Sequence, residues 1–295
     1  MWQEGRQEYA LEPRNCRMSY IISDMKEVGR ILPDGTDEMV IDIHAHFLPR
    51  WCADELFGAQ GVPEALCDLS LQLATMDAQG IDLRVVSPPP AAFTYREPEA
   101  TFAARLNEEL AAAVGSAGRG ARRFLGLATV PLHRPREAAQ ELRRAIGERG
   151  LRGAAIGSCV ADRELDDPQL EPFWDAAEEL GAVLLLHPSE VPGAQRMASY
   201  HLRNLVGNPS ATALAAARLI FGGVLDRHPR LNVILAHGGG ALPWILARLD
   251  HGYAVRPECA SACAEKPSAY LRRFYYDTVL FGDEERAWLC ERVGR

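Results

Sequence analysis

The segment Val40-Ile41-Asp42-Ile43-His44-Ala45-His46 constrains this chain more than any other. It has the apolar, β-branched character of a strand. Side chains in a strand alternate faces, so His44 and His46 point to one side while Ile41, Ile43 and Ala45 point to the other. Two imidazoles therefore meet at the end of one strand. Neutral imidazole is a common ligand for divalent transition metals, and residues at i and i+2 can reach one ion, so the pair is a candidate half-site for zinc or a similar metal. Alone, a His-x-His pair is weak evidence, because ordinary packing also produces it.

Three later stretches repeat the design. Ala182-Val183-Leu184-Leu185-Leu186-His187 is an apolar strand ending in histidine, and Asn232-Val233-Ile234-Leu235-Ala236-His237 runs into Gly238-Gly239-Gly240. Phe274-Tyr275-Tyr276-Asp277 ends in a carboxylate. A core histidine bonded to a backbone carbonyl would account for any one of these, but four such strand ends favour a shared site. Barrels of parallel strands carry their chemistry at the carboxyl ends. The triple glycine is expected to let the backbone approach a ligand closely.

The run from Gly222-Gly223-Val224-Leu225-Asp226-Arg227-His228-Pro229 through His237-Gly238-Gly239-Gly240-Ala241-Leu242-Pro243, and on to His251-Gly252 and Arg256-Pro257, resembles the metal-dependent amidohydrolase superfamily. Within it, the likeness is to the branch of aminocarboxymuconate-semialdehyde and resorcylate-type decarboxylases. It extends from about Met39 onward and is most specific over 222–257. The resemblance implies a TIM-type (β/α)8 barrel. It also implies a zinc ion, or another divalent metal such as manganese, held by His44, His46 and His187, with His237 as catalytic acid/base. Phe93, in a loop at the carboxyl face, Trp244 and Arg248 are the candidate substrate-binding residues. Arg248 matches a family arginine that reaches a neighbouring subunit's substrate carboxylate, which implies a homodimer. The branch's enlarged, arginine-bearing region after the first strand has no counterpart between His46 and Met76, so a different specificity is expected.

Along the chain, strands are expected to start near 40, 82, 124, 153, 182, 232 and 274. Between them lie helical segments: one ending at Gln79-Gly80, then Glu97 to about Val114, Pro135 to Gly147, Asp167 to Leu180, Ser210 to Asp226 and a stretch opened by Pro243. Such alternation indicates parallel βα units. It gives seven of the eight strands a barrel needs. In the resembling family the last strand carries a Gly-Thr-Asp-Tyr-Pro type segment whose aspartate contacts the metal, and no such segment follows Val293-Gly294-Arg295. The expectation is weak zinc retention and little turnover unless Asp277 or a neighbouring subunit supplies a carboxylate. Asp277 itself corresponds to the family's strand-seven aspartate.

The 295 residues, with 47% hydrophobic and 24% charged side chains, suffice for one large α/β domain. A formal charge of −8 argues against nucleic acid or an anionic membrane surface as partner; the resemblance implies a small-molecule carboxylate substrate. No apolar run approaches the roughly 18 residues of a bilayer span. Seven scattered cysteines without a Cys-x-x-Cys pair suit reduced thiols in a cytoplasm. Residues 1–38 are polar and are expected to be an extension removable without unfolding the barrel of 39–295. His133 and His228 are expected at the surface. Three functional classes stay open: a carbon–carbon lyase acting on a small unsaturated or aromatic carboxylic acid, a hydrolase of an amide or lactone, and an inactive barrel. The resemblance favours the lyase.

Overall fold

The computed structural model describes residues 39–58, 62–93, 100–117, 120 and 122–294. The expectations for residues 1–38, and for a helix start at Glu97, lie outside the described residues.

Strand and helix alternate through the chain. The order is β1 (Ile41–His46), α1 (Arg50–Phe57), α2 (Leu69–Gln79), β2 (Leu83–Ser87), α3 (Ala100–Gly115), β3 (Phe124–Gly126), α4 (Pro135–Gly147) and β4 (Gly153–Gly157). There follow α5 (Glu171–Glu179), β5 (Val183–His187), α6 (Asn208–Phe221), α7 (Val224–Arg227), β6 (Asn232–Leu235), α8 (Leu242–Val255), β7 (Phe274–Tyr276) and α9 (Asp283–Val293). Local chemistry sets several boundaries. Asp68 accepts a hydrogen bond from the Ser70 N–H at 2.7 Å and caps α2, which ends on the left-handed Gly80. Pro135 opens α4, where a missing N–H costs nothing.

Two helices differ from the sequence expectation, each for a backbone reason. Asp167 does cap a helical start, bonding the Gln169 N–H at 2.8 Å, but it opens a single 3-10 turn over Pro168–Leu170 before α5. Pro172 has no N–H to give the Pro168 carbonyl, so one continuous α-helix cannot form. The helix expected over 210–226 is divided at Gly222-Gly223, where Gly223 takes a left-handed φ of 68° and separates α6 from α7.

All strand pairings are parallel, in two hydrogen-bonded groups, β1-β2-β3 and β4-β5-β6-β7. A parallel bridge between Ala128 and Ala154 joins the groups, reinforced by the Arg152 N–H donating to the Gly126 carbonyl. Helices cover the outer faces, so β2, β4 and β5 are buried along their whole length, as parallel strands require. Leu184, Leu185 and Leu186 are all fully buried, with Phe173 and Trp174 of α5 in the same core. His228 corrects the surface expectation. It is 3% exposed, and its Nε2 lies 2.7 Å from Glu171 in the first turn of α5, so a carboxylate offsets the cost of its burial. His133 is half-buried.

Leu185 lies on the same face of β5 as His187 and pairs in register with Ala155 and Ile234. Truncation there leaves a cavity between strands that cannot collapse. Leu185→Ala is expected to lower the unfolding free energy by about 2–5 kcal/mol, read from the shift of the urea midpoint.

Candidate metal centre

Strand parity brings four histidines to one place. His44 and His46 leave the same face of β1, His187 is the last residue of β5, and His237 lies two residues beyond β6. The His44 ring centroid is 5.3 Å from that of His46, 4.9 Å from His187 and 5.2 Å from His237. His187 is 5.4 Å from His46 and 5.1 Å from His237. The tightest donor group differs by one residue from the trio that the resemblance implies. One nitrogen each from His44, His187 and His237 lie within 4.8 Å of one another.

Hydrogen bonds separate the four rings more clearly than distances do. His44 Nδ1 lies 2.5 Å from Asp277 Oδ2, His187 Nδ1 lies 2.9 Å from the Pro188 carbonyl, and His46 Nδ1 lies 3.3 Å from the Ser87 carbonyl. Carbonyls and carboxylates only accept, so Nδ1 of His44 and of His187 carries a proton; His46 Nδ1 also lies 3.4 Å from the Ser87 hydroxyl, which can donate or accept. Metal-binding histidines are held in this way. His237 is the exception: its Nδ1 is buried and has no hydrogen-bond partner among the described residues. No hydrogen bond among the described residues runs from one of these rings to another. Four imidazoles thus face each other with no hydrogen bond between them, an arrangement that a divalent cation can satisfy.

The electrostatics agree. Burial, then the neighbouring His44, lowers the His46 pKa to about 4. Burial and the other three rings hold His187 well below the ordinary imidazole value, and burial followed by His44 lowers His237 despite the opposing charge of Asp277. These three rings are neutral near pH 7, the state in which imidazole binds metal. Asp277 is 1% exposed. Burial raises its pKa, but His44 and the backbone N–H groups of Gly238 and His237 outweigh burial and leave it below the usual carboxylate range.

His237 owes its placement to a strained turn. It adopts a left-handed φ of 57°, uncommon for a residue with a side chain, and opens a turn in which Gly238, Gly239 and Gly240 are also at positive φ. The glycines were expected to admit a ligand, but the close approaches are internal. A Cβ on Gly240 would lie 2.2 Å from the Pro209 carbonyl oxygen, and one on Gly239 would lie 2.7 Å from the Tyr276 ring.

The other expected site residues do not join the cluster. Phe93 is buried in the main core. Trp244 is exposed on α8 and stacks on Trp288 of α9, with centroids 4.0 Å apart and planes 9° from parallel. Arg248 is exposed on the same helix. Of the orienting partners Ser87, Pro188 and Asp277, sequence reasoning placed Asp277 alone in the site, as one of the four strand ends. Two of them act through backbone carbonyls, which no side-chain pattern reveals. Asp277 did leave a signal, a carboxylate one residue beyond an apolar strand.

A largely shielded histidine cluster at the carboxyl ends of parallel, helix-covered strands defines a metal-dependent α/β protein. The chain belongs to the amidohydrolase family, whose profile matches residues 41–285. It is 37% identical over 283 residues to 2-amino-3-carboxymuconate-6-semialdehyde decarboxylase of Dictyostelium discoideum, covering 86% of this chain and 78% of that protein. It is 35% identical over 193 residues to a γ-resorcylate decarboxylase of Rhizobium radiobacter, covering 61% and 58% of the two chains. Among solved structures it superposes on 5-carboxyvanillate decarboxylase from Sphingomonas paucimobilis with a TM-score of 0.76 and 26% identity, over 87% of this chain and 85% of that one. A dihydroxybenzoic acid decarboxylase from Polaromonas, solved with bound manganese, gives a TM-score of 0.74 at 26% identity, over 87% and 83%. These neighbours imply the TIM-barrel fold. No described helix is long and apolar enough to cross a membrane.

Rings held neutral by the fold but free to protonate in the unfolded chain give stability a pH slope. Between the ordinary imidazole pKa near 6.5 and the folded value of about 4 for His46, the unfolded state binds more protons, so stability falls as pH falls. For His46 alone the loss by pH 5 is on the order of 2 kcal/mol. The metal-free chain is expected to melt at progressively lower temperature from pH 7 to pH 5. His46→Gln should flatten that slope in differential scanning calorimetry.

Proposed function

We propose that this chain is a metal-dependent decarboxylase acting, with zinc or manganese, on a small unsaturated or aromatic carboxylic acid. The observation that carries this reading is the division of the four rings, three with Nδ1 hydrogen-bonded and one with Nδ1 unpartnered among the described residues. A ligand must be held in one tautomer, whereas an acid/base must be able to change its protonation. His44, His46 and His187 accordingly hold the metal through Nε2, and His237 moves the proton. The donor hydrogen bonds are preferred over simple proximity here, because proximity alone would exchange His46 for His237. The named activities of the relatives, all carboxylate-losing, support decarboxylation over hydrolysis on the same scaffold.

When bound, the divalent metal supplies positive charge that stabilises anionic oxygens of the substrate. The protein does the rest. His237 is neutral at rest, and an anionic substrate beside it favours the protonated ring. The ring then gives its proton to the carbon bearing the carboxylate. As the carbon–carboxylate bond breaks, its electron pair returns to the unsaturated system, carbon dioxide leaves, and solvent reprotonates His237. Phe93 forms part of the apolar wall. Trp244 and Arg248, exposed on α8, serve the substrate across a homodimer, where a guanidinium suits bidentate carboxylate binding.

The chain loaded with zinc or manganese is expected to release carbon dioxide from members of a panel of unsaturated and aromatic carboxylates. His187→Ala should lose most of its metal by elemental analysis. His237→Asn should keep the metal while turnover falls about 10²–10⁴-fold. Full turnover by His237→Asn, or no carbon dioxide from a metal-loaded chain, would sink the reading.

A further inference from the structure

The Asp277 carboxylate has four donors. Oδ2 accepts from His44 Nδ1–H at 2.5 Å and from the His237 backbone N–H at 2.8 Å. Oδ1 accepts from the Gly238 N–H at 2.8 Å and the Val279 N–H at 3.1 Å. A carboxylate offers about four lone-pair sites, so these bonds occupy all of them. Asp277 has no lone pair left for a metal. It therefore does not act as a carboxylate ligand to the metal, a role the sequence left open for it.

What the carboxylate does instead follows from its partners. The consecutive N–H groups of His237 and Gly238, both at positive φ, converge on it as a backbone nest around an anion. A left-handed non-glycine residue persists only where its surroundings over-determine it, and this grip is one such determinant. The same oxygen that accepts from the His237 backbone N–H also accepts from the Nδ1–H of His44, more than a hundred and ninety positions earlier in the chain than His237 and on a different strand. We propose that Asp277 is a positioning residue that yokes His44, as metal ligand, to His237, as proton-transfer residue. One carboxylate fixes the tautomer of the first and the backbone turn of the second. The roles given to those two histidines rest on the reading above, while the yoke itself rests on the hydrogen bonds.

The test begins on the metal-free wild-type chain with 15N-labelled histidine. Long-range 1H–15N spectra, with the His44 signals identified by their loss in His44→Gln, are expected to show His44 protonated at Nδ1 and bare at Nε2. A His44 protonated at Nε2 would overturn the proposal without recourse to any Asp277 variant. Asp277→Asn keeps the shape but turns one oxygen into a donor facing backbone N–H groups. It should give His44 a mixture of tautomers and weaken manganese binding by roughly 10–100-fold in titration calorimetry. Circular dichroism separates this from unfolding, since a merely structural role would leave the tautomer of a folded variant unmoved. A folded Asp277→Asn with one His44 tautomer and wild-type manganese affinity would refute the yoke. If the wild-type chain binds no metal, the functional reading fails, but the tautomer measurement still decides the role of Asp277.

Discussion

The hydrogen bond between Asp277 and His44 is the interaction around which the two ends of the strand array are organised. β1 and β7 stand at opposite ends of the hydrogen-bonded order, and no strand pairing joins them among the described residues. At the carboxyl face they meet through side chains instead. Burying a carboxylate is costly by several kcal/mol unless hydrogen bonds replace its water. Asp277 meets that condition with donors from three segments: β1, the turn after β6 and the backbone following β7. Because an uncompensated charge would be left behind, none of these segments can move away independently.

A second polar contact lies earlier in β1, before an irregularity in its register against β2 between Asp42 and Ala45. The Asp42 carboxylate accepts from Arg84 Nε of β2 at 2.8 Å. Gln72 of α2, itself buried, donates to the His46 carbonyl and to the Ala65 carbonyl at 2.9 Å. These bonds hold β1 against β2 and α2 across the irregularity, and the alternation of apolar and polar residues that marks β1 as a strand belongs to its sequence.

That alternation is also why so much was legible in the sequence. An apolar run ending in histidine states both the strand and the direction of its last side chain, and His44, His46, His187 and His237 were all found in this way. Interruptions of helices were harder, because they depend on which N–H a proline removes. Pro172 broke a helix that the periodicity of its neighbours carried through. His228 was misjudged because burial of a polar side chain is set by a partner 57 residues away, Glu171, rather than by its own neighbours. The triple glycine was read as room for a ligand, but tertiary packing uses it against Pro209, Tyr276 and Leu280. Residue type showed that close approach was needed, not what approaches.

The four rings also show why crowding alone does not assign roles. With the His44 ring 4.9–5.3 Å from each of the other three, the imidazoles all look alike, and burial and neighbouring rings disfavour protonation of His46, His187 and His237. They differ in what stands behind them. A ring whose Nδ1–H points at a carbonyl or carboxylate has its tautomer set, and taking a proton on Nε2 would leave it doubly protonated in a pocket that disfavours charge. His237 is held through its backbone, by a left-handed turn, and its ring carries no such constraint at Nδ1. Fixing a side chain through its main chain keeps the ring in place while leaving both nitrogens chemically open. That is the physical requirement for a group that must be in position and yet exchange a proton.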